Sequence, residues 1–145
     1  MKERSLSEQT NLLSQSVNVG EMVKHQLKPA DQTLTTPVID HWVLQLHGVP
    51  ADRINDTDRL QVLLEESVRD LNLTQVSSHS HYFGPGVSTV IILSESHLSV
   101  HTWPELGYLH MDIVTCVKQL TQERLDEVFR KLFQPKFTQI TQLEY

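Results

Sequence analysis

The sequence has one cysteine, Cys116, among 145 residues. It can form no intramolecular disulfide, so the chain reads as intracellular, with a free thiol whose role must come from its surroundings. An excess of basic residues is also missing: 12 Lys and Arg stand against 18 Asp and Glu, a formal charge of −6. Nucleic acid and anionic membrane surfaces both select for positive charge, so the expected partners are small molecules or other proteins, with no nucleic acid and no membrane. The longest continuous apolar run is Val90-Ile91-Ile92-Leu93, far below the ~18 residues of a membrane span. Met1-Lys2-Glu3-Arg4 leads into polar sequence rather than the apolar stretch of a secretion signal, and a cytoplasmic location is expected. There is no internal repeat, no Gly-x-Ser-x-Gly elbow and no closed Cys/His set. A chain of this size holds one core, large enough to need no disulfide.

What is present falls into two textures. Residues 1–36 are rich in Ser, Gln, Asn and Thr and carry four basic against four acidic residues, so the whole net charge sits in the remainder. They read as an appendage: a loosely ordered arm, or a short amphipathic helix through Leu12, Leu13, Val17 and Met22. From 37 to 145 the pattern is that of one domain. Strands are expected at Val38–His47, Thr74–Phe83, Val87–Leu93, His97–Thr102, Tyr108–Cys116 and Phe137–Leu143. Turn signals at Gly84-Pro85-Gly86, Ser94-Glu95-Ser96 and Pro104–Gly107 separate the central ones. Leu60, Leu63, Leu64, Val68 and Leu71 recur at helical spacing behind a cap at Asn55 or Asp56, and Leu125, Val128, Phe129, Leu132 and Phe133 form a second stripe from Thr121. The order β-α-β-β-β-β-α-β, with short central links, implies an α+β, two-layer sandwich: a mostly antiparallel sheet with two helices on one face.

Side chains alternate across a strand, so parity sorts the chemistry. Val87, Thr89, Ile91, Leu93, Leu98, Val100, Leu109, Met111 and Ile113 share an apolar face. Ser88, His97, His101, Asp112 and Cys116 fall on the other. Polar residues on an open antiparallel face are ordinarily just solvated. Two further readings stay open from the residues alone. His79-x-His81 and His97-x-x-x-His101 offer imidazoles to zinc, and Ser88 or Ser96 with His101 and Asp112 has the composition of a hydrolase triad.

Gly86-Val87-Ser88, then Ser94-Glu95-Ser96-His97-Leu98-Ser99-Val100-His101-Thr102-Trp103-Pro104-Glu105, then Gly107-Tyr108 and Asp112-x-x-Thr115-Cys116 together resemble the small prokaryotic S-adenosylmethionine decarboxylases. The resemblance spans about residues 38–143 and is densest over 86–116. It implies a proenzyme that cuts itself between Glu95 and Ser96. The Ser96 hydroxyl attacks the Glu95 carbonyl to give an ester, and elimination then leaves a pyruvoyl group at position 96. That covalent cofactor forms a Schiff base with the substrate amine and serves as electron sink for decarboxylation. His101 would be the processing histidine, Ser88 its hydrogen-bonding support, and Cys116 the donor that reprotonates carbon, as a thiol mostly protonated at neutral pH can. Glu105 would accept hydrogen bonds from the ribose, and Phe83 or Tyr82 would stack on adenine. No metal is implied.

Three departures bear on the substrate. Gln45 stands where the resembled family usually has Glu, Leu109-His110 where it has small residues, and Val117 where Gly follows the cysteine. The leading expectation is S-adenosylmethionine decarboxylation supplying an aminopropyl donor for spermidine synthesis. The alternatives are a pyruvoyl-dependent decarboxylase of ornithine or arginine and a non-catalytic paralogue regulating a partner enzyme. A partly apolar open face with Val43, Val90, Ile92, Trp103 and Val114 predicts at least a homodimer of processed protomers.

Overall fold

Strict alternation makes the strands, and the computed structural model assembles them into one antiparallel sheet. It describes residues 35–145, of which Pro37–Tyr145 form one compact unit. The expectations for residues 1–36 lie outside the described residues, apart from Thr35 and Thr36. The elements are β1 (Asp40–His47), α1 (Thr57–Asp70), β2 (Gln75–Tyr82), β3 (Val87–Leu93), β4 (Ser96–Trp103), β5 (Tyr108–Thr115), α2 (Gln122–Phe133) and β6 (Phe137–Leu143). Single 3-10 turns lie at Ala51–Arg53 and Pro104–Leu106. The six strands run in the order β2-β3-β4-β5-β1-β6, and every adjacent pair is antiparallel. The expected α+β sandwich is the observed one, with small shifts of boundary. β4 takes in Ser96 and Trp103, and β5 ends at Thr115, which leaves Cys116 just beyond the strand.

Both helices start where a side chain can accept an orphan amide. Asp56 Oδ1 accepts from the Arg59 amide at 2.8 Å, and Thr121 Oγ1 from that of Arg124 at 3.2 Å. Leu60, Leu63, Leu64 and Val68 of α1 and Leu125, Val128, Phe129 and Phe133 of α2 are buried against the sheet face that carries Leu44, Leu46, Ile91, Leu98, Leu109, Met111 and Ile113. The alternation is complete in β3 and β5, where every odd-numbered residue is buried and every even-numbered one is not. One face is thus sealed by helices, and the other carries the candidate chemistry.

Candidate active site

The β3–β4 hairpin closes with only Ser94 and Glu95 between the paired residues Leu93 and Ser96. Ser96 takes a φ of +151°, a region that costs a non-glycine residue roughly 1–3 kcal/mol. The turn is held from both neighbouring elements. Thr74 accepts from the Ser94 amide at 2.9 Å and donates its own amide to Glu95 Oε2 at 3.0 Å. From β5, the Cys116 amide donates to the Glu95 carbonyl at 2.8 Å. The carbonyl that Ser96 would attack is therefore already polarised by a fixed backbone dipole. Cys116 is free and exposed, next to Thr115, the residue in register with Ser96. Glu95, Ser96 and Cys116 are thus brought together.

A second group gathers at the opposite end of β4. Ser88 and His101 face each other in register, with Ser88 Oγ 2.7 Å from His101 Nδ1. They line a cleft of about 320 Å³ with Phe83, Gly86, Trp103 and Glu105. Phe83 lines this cleft and Tyr82 does not. The cleft owes its shape to Gly86, where a Cβ would sit 2.6 Å from the Thr102 carbonyl oxygen. Thr102 cannot retreat, because its buried hydroxyl accepts from the Val87 amide and donates to the Ile54 carbonyl, both at 2.9 Å.

These two groups do not meet within the protomer. His101 follows Ser96 by five residues on one extended strand, and at ~3.3 Å per residue that is roughly 16 Å. Within a single copy, the histidine that the resemblance assigns to processing therefore stands apart from Ser96.

Between the groups lies a polar cluster centred on Asp112. The Ser99 hydroxyl donates to Asp112 Oδ1. His41 Nε2 and His97 Nε2 stand 3.6 and 3.7 Å from Asp112 Oδ2. His97 Nδ1 in turn lies 3.2 Å from Ser96 Oγ, and His41 Nδ1 lies 2.6 Å from the Tyr145 hydroxyl. Asp112 therefore serves neither Ser88 nor His101, and the hydrolase triad does not assemble. The imidazoles proposed for zinc sit on β2 and β4 with β3 between them. Among the described residues no three His, Cys, Asp or Glu side chains are grouped to hold a metal ion.

The departures Gln45 and His110 turn out to be neighbours. They pair across β1 and β5, and His110 pairs with His101 across β5 and β4. Both flank Tyr108, whose hydroxyl donates to Gln45 Oε1 at 3.1 Å and lies 3.4 Å from His110 Nδ1. Burial raises the Tyr108 pKa above its ordinary 10.0, so this hydroxyl stays a neutral donor at physiological pH. Strand order and register bring Trp103, Tyr108, His47 and Phe137 into one aromatic row beside the cleft, with neighbouring ring centroids 5.0–5.6 Å apart. The sequence reading missed this row, since its members come from four strands whose order it did not know.

A family model described as S-adenosylmethionine decarboxylase matches residues 40–144, the whole span from β1 to β6. This chain belongs to the S-adenosylmethionine decarboxylase family. The S-adenosylmethionine decarboxylase proenzyme of a Sulfurihydrogenibium species is 40% identical over 101 residues, covering 60% of this chain and 76% of that protein. Its counterpart in Methanococcus maripaludis is 34% identical over 105 residues, covering 72% and 86%. The crystal structure of the adenosylmethionine decarboxylase of Aquifex aeolicus shares the fold, with a TM-score of 0.67 at 34% identity over 76% of this chain and 92% of that one. The resemblance carried by the Glu95–Glu105 run therefore holds. Within an S-adenosylmethionine decarboxylase fold, both residue groups lie inside the matched span, and residues 1–39 lie outside it.

Proposed function

We propose that this chain is a self-cleaving proenzyme. It cuts the Glu95–Ser96 bond, converts Ser96 to a pyruvoyl group and decarboxylates S-adenosylmethionine, giving the aminopropyl donor for spermidine synthesis. The observation that carries the reading is the strained Ser96, whose preceding carbonyl accepts a hydrogen bond from the Cys116 amide. Strain at the hairpin favours release of the peptide, and the fixed donor stabilises the oxyanion formed as the serine attacks. These residues fit a pyruvoyl group: the serine that would yield it sits part-exposed at the end of the hairpin, with the free thiol of Cys116 beyond its paired neighbour Thr115. When present, the group withdraws electrons from the substrate's α-carbon so that carbon dioxide can leave. Cys116 would hold the proton returned to carbon, Glu105 would accept hydrogen bonds from the ribose, and Phe83 would stack on the base.

The rough 16 Å between Ser96 and His101 favours a site completed by a second copy. We infer a homodimer packed through the open sheet face, in which the cleft of one protomer meets the Ser96 hairpin of its partner. Val90, Ile92 and Trp103 on that face are 40–47% exposed, an apolar surface that pairing would cover. No helix among the described residues is long and apolar enough to cross a membrane, and the lone cysteine favours the cytoplasm as the site of action.

The basic amino acids are the second reading, because Gln45 and His110 remodel the row beside His101 and Glu105 suits a cationic side chain. Intact mass of the purified protein tests cleavage: two chains, 1–95 and 96–145, with the second blocked at its first residue, are expected. A single unbroken chain would favour the regulatory paralogue. Release of labelled carbon dioxide from S-adenosylmethionine, ornithine and arginine then identifies the substrate, and S-adenosylmethionine is expected to be turned over fastest.

A further inference from the structure

His97 is the second residue after the proposed cleavage site, and its surroundings leave it few polar partners. Its in-register neighbours are Ile92 on β3 and Val114 on β5, which offer its imidazole nothing to bond. The ring instead spans two polar atoms. Nδ1 lies 3.2 Å from Ser96 Oγ and Nε2 lies 3.7 Å from Asp112 Oδ2. Asp112 is itself fixed, since the Ser99 hydroxyl donates to its other oxygen. Asp112 Oδ2, which also faces His41 Nε2 at 3.6 Å, is near enough to His97 Nε2 to favour electrostatically the tautomer with its proton there, which leaves the Nδ1 lone pair toward the serine. That is the orientation of a general base.

We propose that His97, oriented by Asp112, is the base for the first step of chain cleavage, the transfer of the Glu95 acyl group from nitrogen to oxygen. The inference rests on the self-cleavage reading above. Nδ1 takes the proton from Ser96 Oγ as the oxygen bonds to the Glu95 carbonyl carbon, and the carbonyl oxygen becomes an oxyanion facing the Cys116 amide. The carbon–nitrogen bond then breaks, and the proton on Nδ1 passes to the departing nitrogen, leaving an ester and a free amine. No other reactant is needed. The step divides the work of processing: His97 acts within its own protomer, while His101, at the far end of the strand, remains available for a later step. His97 is a catalytic residue in this sense, because it touches the reacting oxygen, and Asp112 is a positioning residue.

The test follows the cleavage of freshly made chain for the full-length protein and for H97A, by gel and intact mass. H97A is expected to cleave about 10²–10⁴-fold more slowly. Hydroxylamine cuts esters, so a block before the ester predicts no hydroxylamine-dependent cleavage in H97A. H97N keeps hydrogen-bonding capacity without a basic nitrogen, and it should show the same loss if H97A folds poorly. D112N should slow cleavage markedly in the wild-type background and add little to H97A, as follows if Asp112 acts on cleavage through His97. Cleavage of H97A and H97N at the wild-type rate, or accumulation of a hydroxylamine-labile ester in either, would overturn the assignment while leaving self-cleavage intact. If the unaltered chain never cleaves, the proposed function fails first.

Discussion

At the scale of single residues, Cys116 is asked for two contributions from different atoms. Its amide donates to the Glu95 carbonyl at 2.8 Å, a bond that any residue except proline could make. Its thiol is exposed and belongs, in the proposed reaction, to turnover alone. Cys116→Ala should therefore cleave at a rate near that of the unaltered chain yet release carbon dioxide on the order of 10²-fold more slowly. Gel analysis and labelled carbon dioxide measure the two separately, and normal turnover in this variant would remove the thiol from the mechanism. The lone cysteine was legible in the sequence as a free thiol, and the family resemblance suggested a use for it. The backbone contribution was not legible, because it depends on where β5 ends relative to the β3–β4 turn, and nothing in the residue pattern near Cys116 reports that register.

At the scale of elements, period and turn chemistry located the strands well because each is bounded by residues with a specific backbone task. Val87–Leu93 and Phe137–Leu143 stand where alternation and flanking turns placed them. Parity likewise sorted the buried from the open face. What the pattern did not reveal was separation along a strand: five residues look close in sequence and span roughly 16 Å when extended. Two predictions belong here. Gly86→Ala pushes a Cβ to within 2.6 Å of the Thr102 carbonyl oxygen, against a residue pinned by two hydrogen bonds. Such overpacking costs about 1–3 kcal/mol, seen as a drop of several degrees in Tm, and unchanged stability would show that the cleft floor is softer than its bonding suggests.

The second concerns Asp126, which joins α2 to β6. Burial raises its pKa, but hydrogen bonds from Thr138 and Arg130 and the Arg130 charge outweigh it and leave the group below its ordinary 3.8. A carboxylate with a depressed folded pKa stabilises the fold above the unfolded value, and that stability is lost as pH falls through the folded value. Asp126→Asn should therefore lower the urea midpoint at neutral pH, by an amount worth at most about 1 kcal/mol at this partly exposed position. The gap between the two proteins should close below about pH 4, toward and beneath the folded pKa, and a gap independent of pH would remove the carboxylate's charge from the account.

At the scale of the whole molecule, the division of the candidate site between the two ends of β4 makes a prediction that neither end makes alone. If the Ser96 hairpin of one protomer is served by the Ser88–His101 cleft of its partner, the two halves can be supplied by different chains. Ser96→Ala cannot cut itself, having no hydroxyl to attack with, but it retains His101. His101→Ala retains Ser96 but lacks the processing imidazole. Expressed separately, both should remain whole. Expressed together, random pairing puts about half of all chains into mixed dimers, each with one composite site that has both Ser96 and His101. Cleavage should then appear in the His101→Ala chains only, up to about half of them, and intact mass distinguishes the two by the altered residue. A complex between protomers also requires at least a dimer by light scattering at working concentration. Cleavage of His101→Ala by itself would mean that this imidazole is not needed. Failure of the mixture, with each parent folded and dimeric, would mean that the two ends of β4 do not meet across the interface.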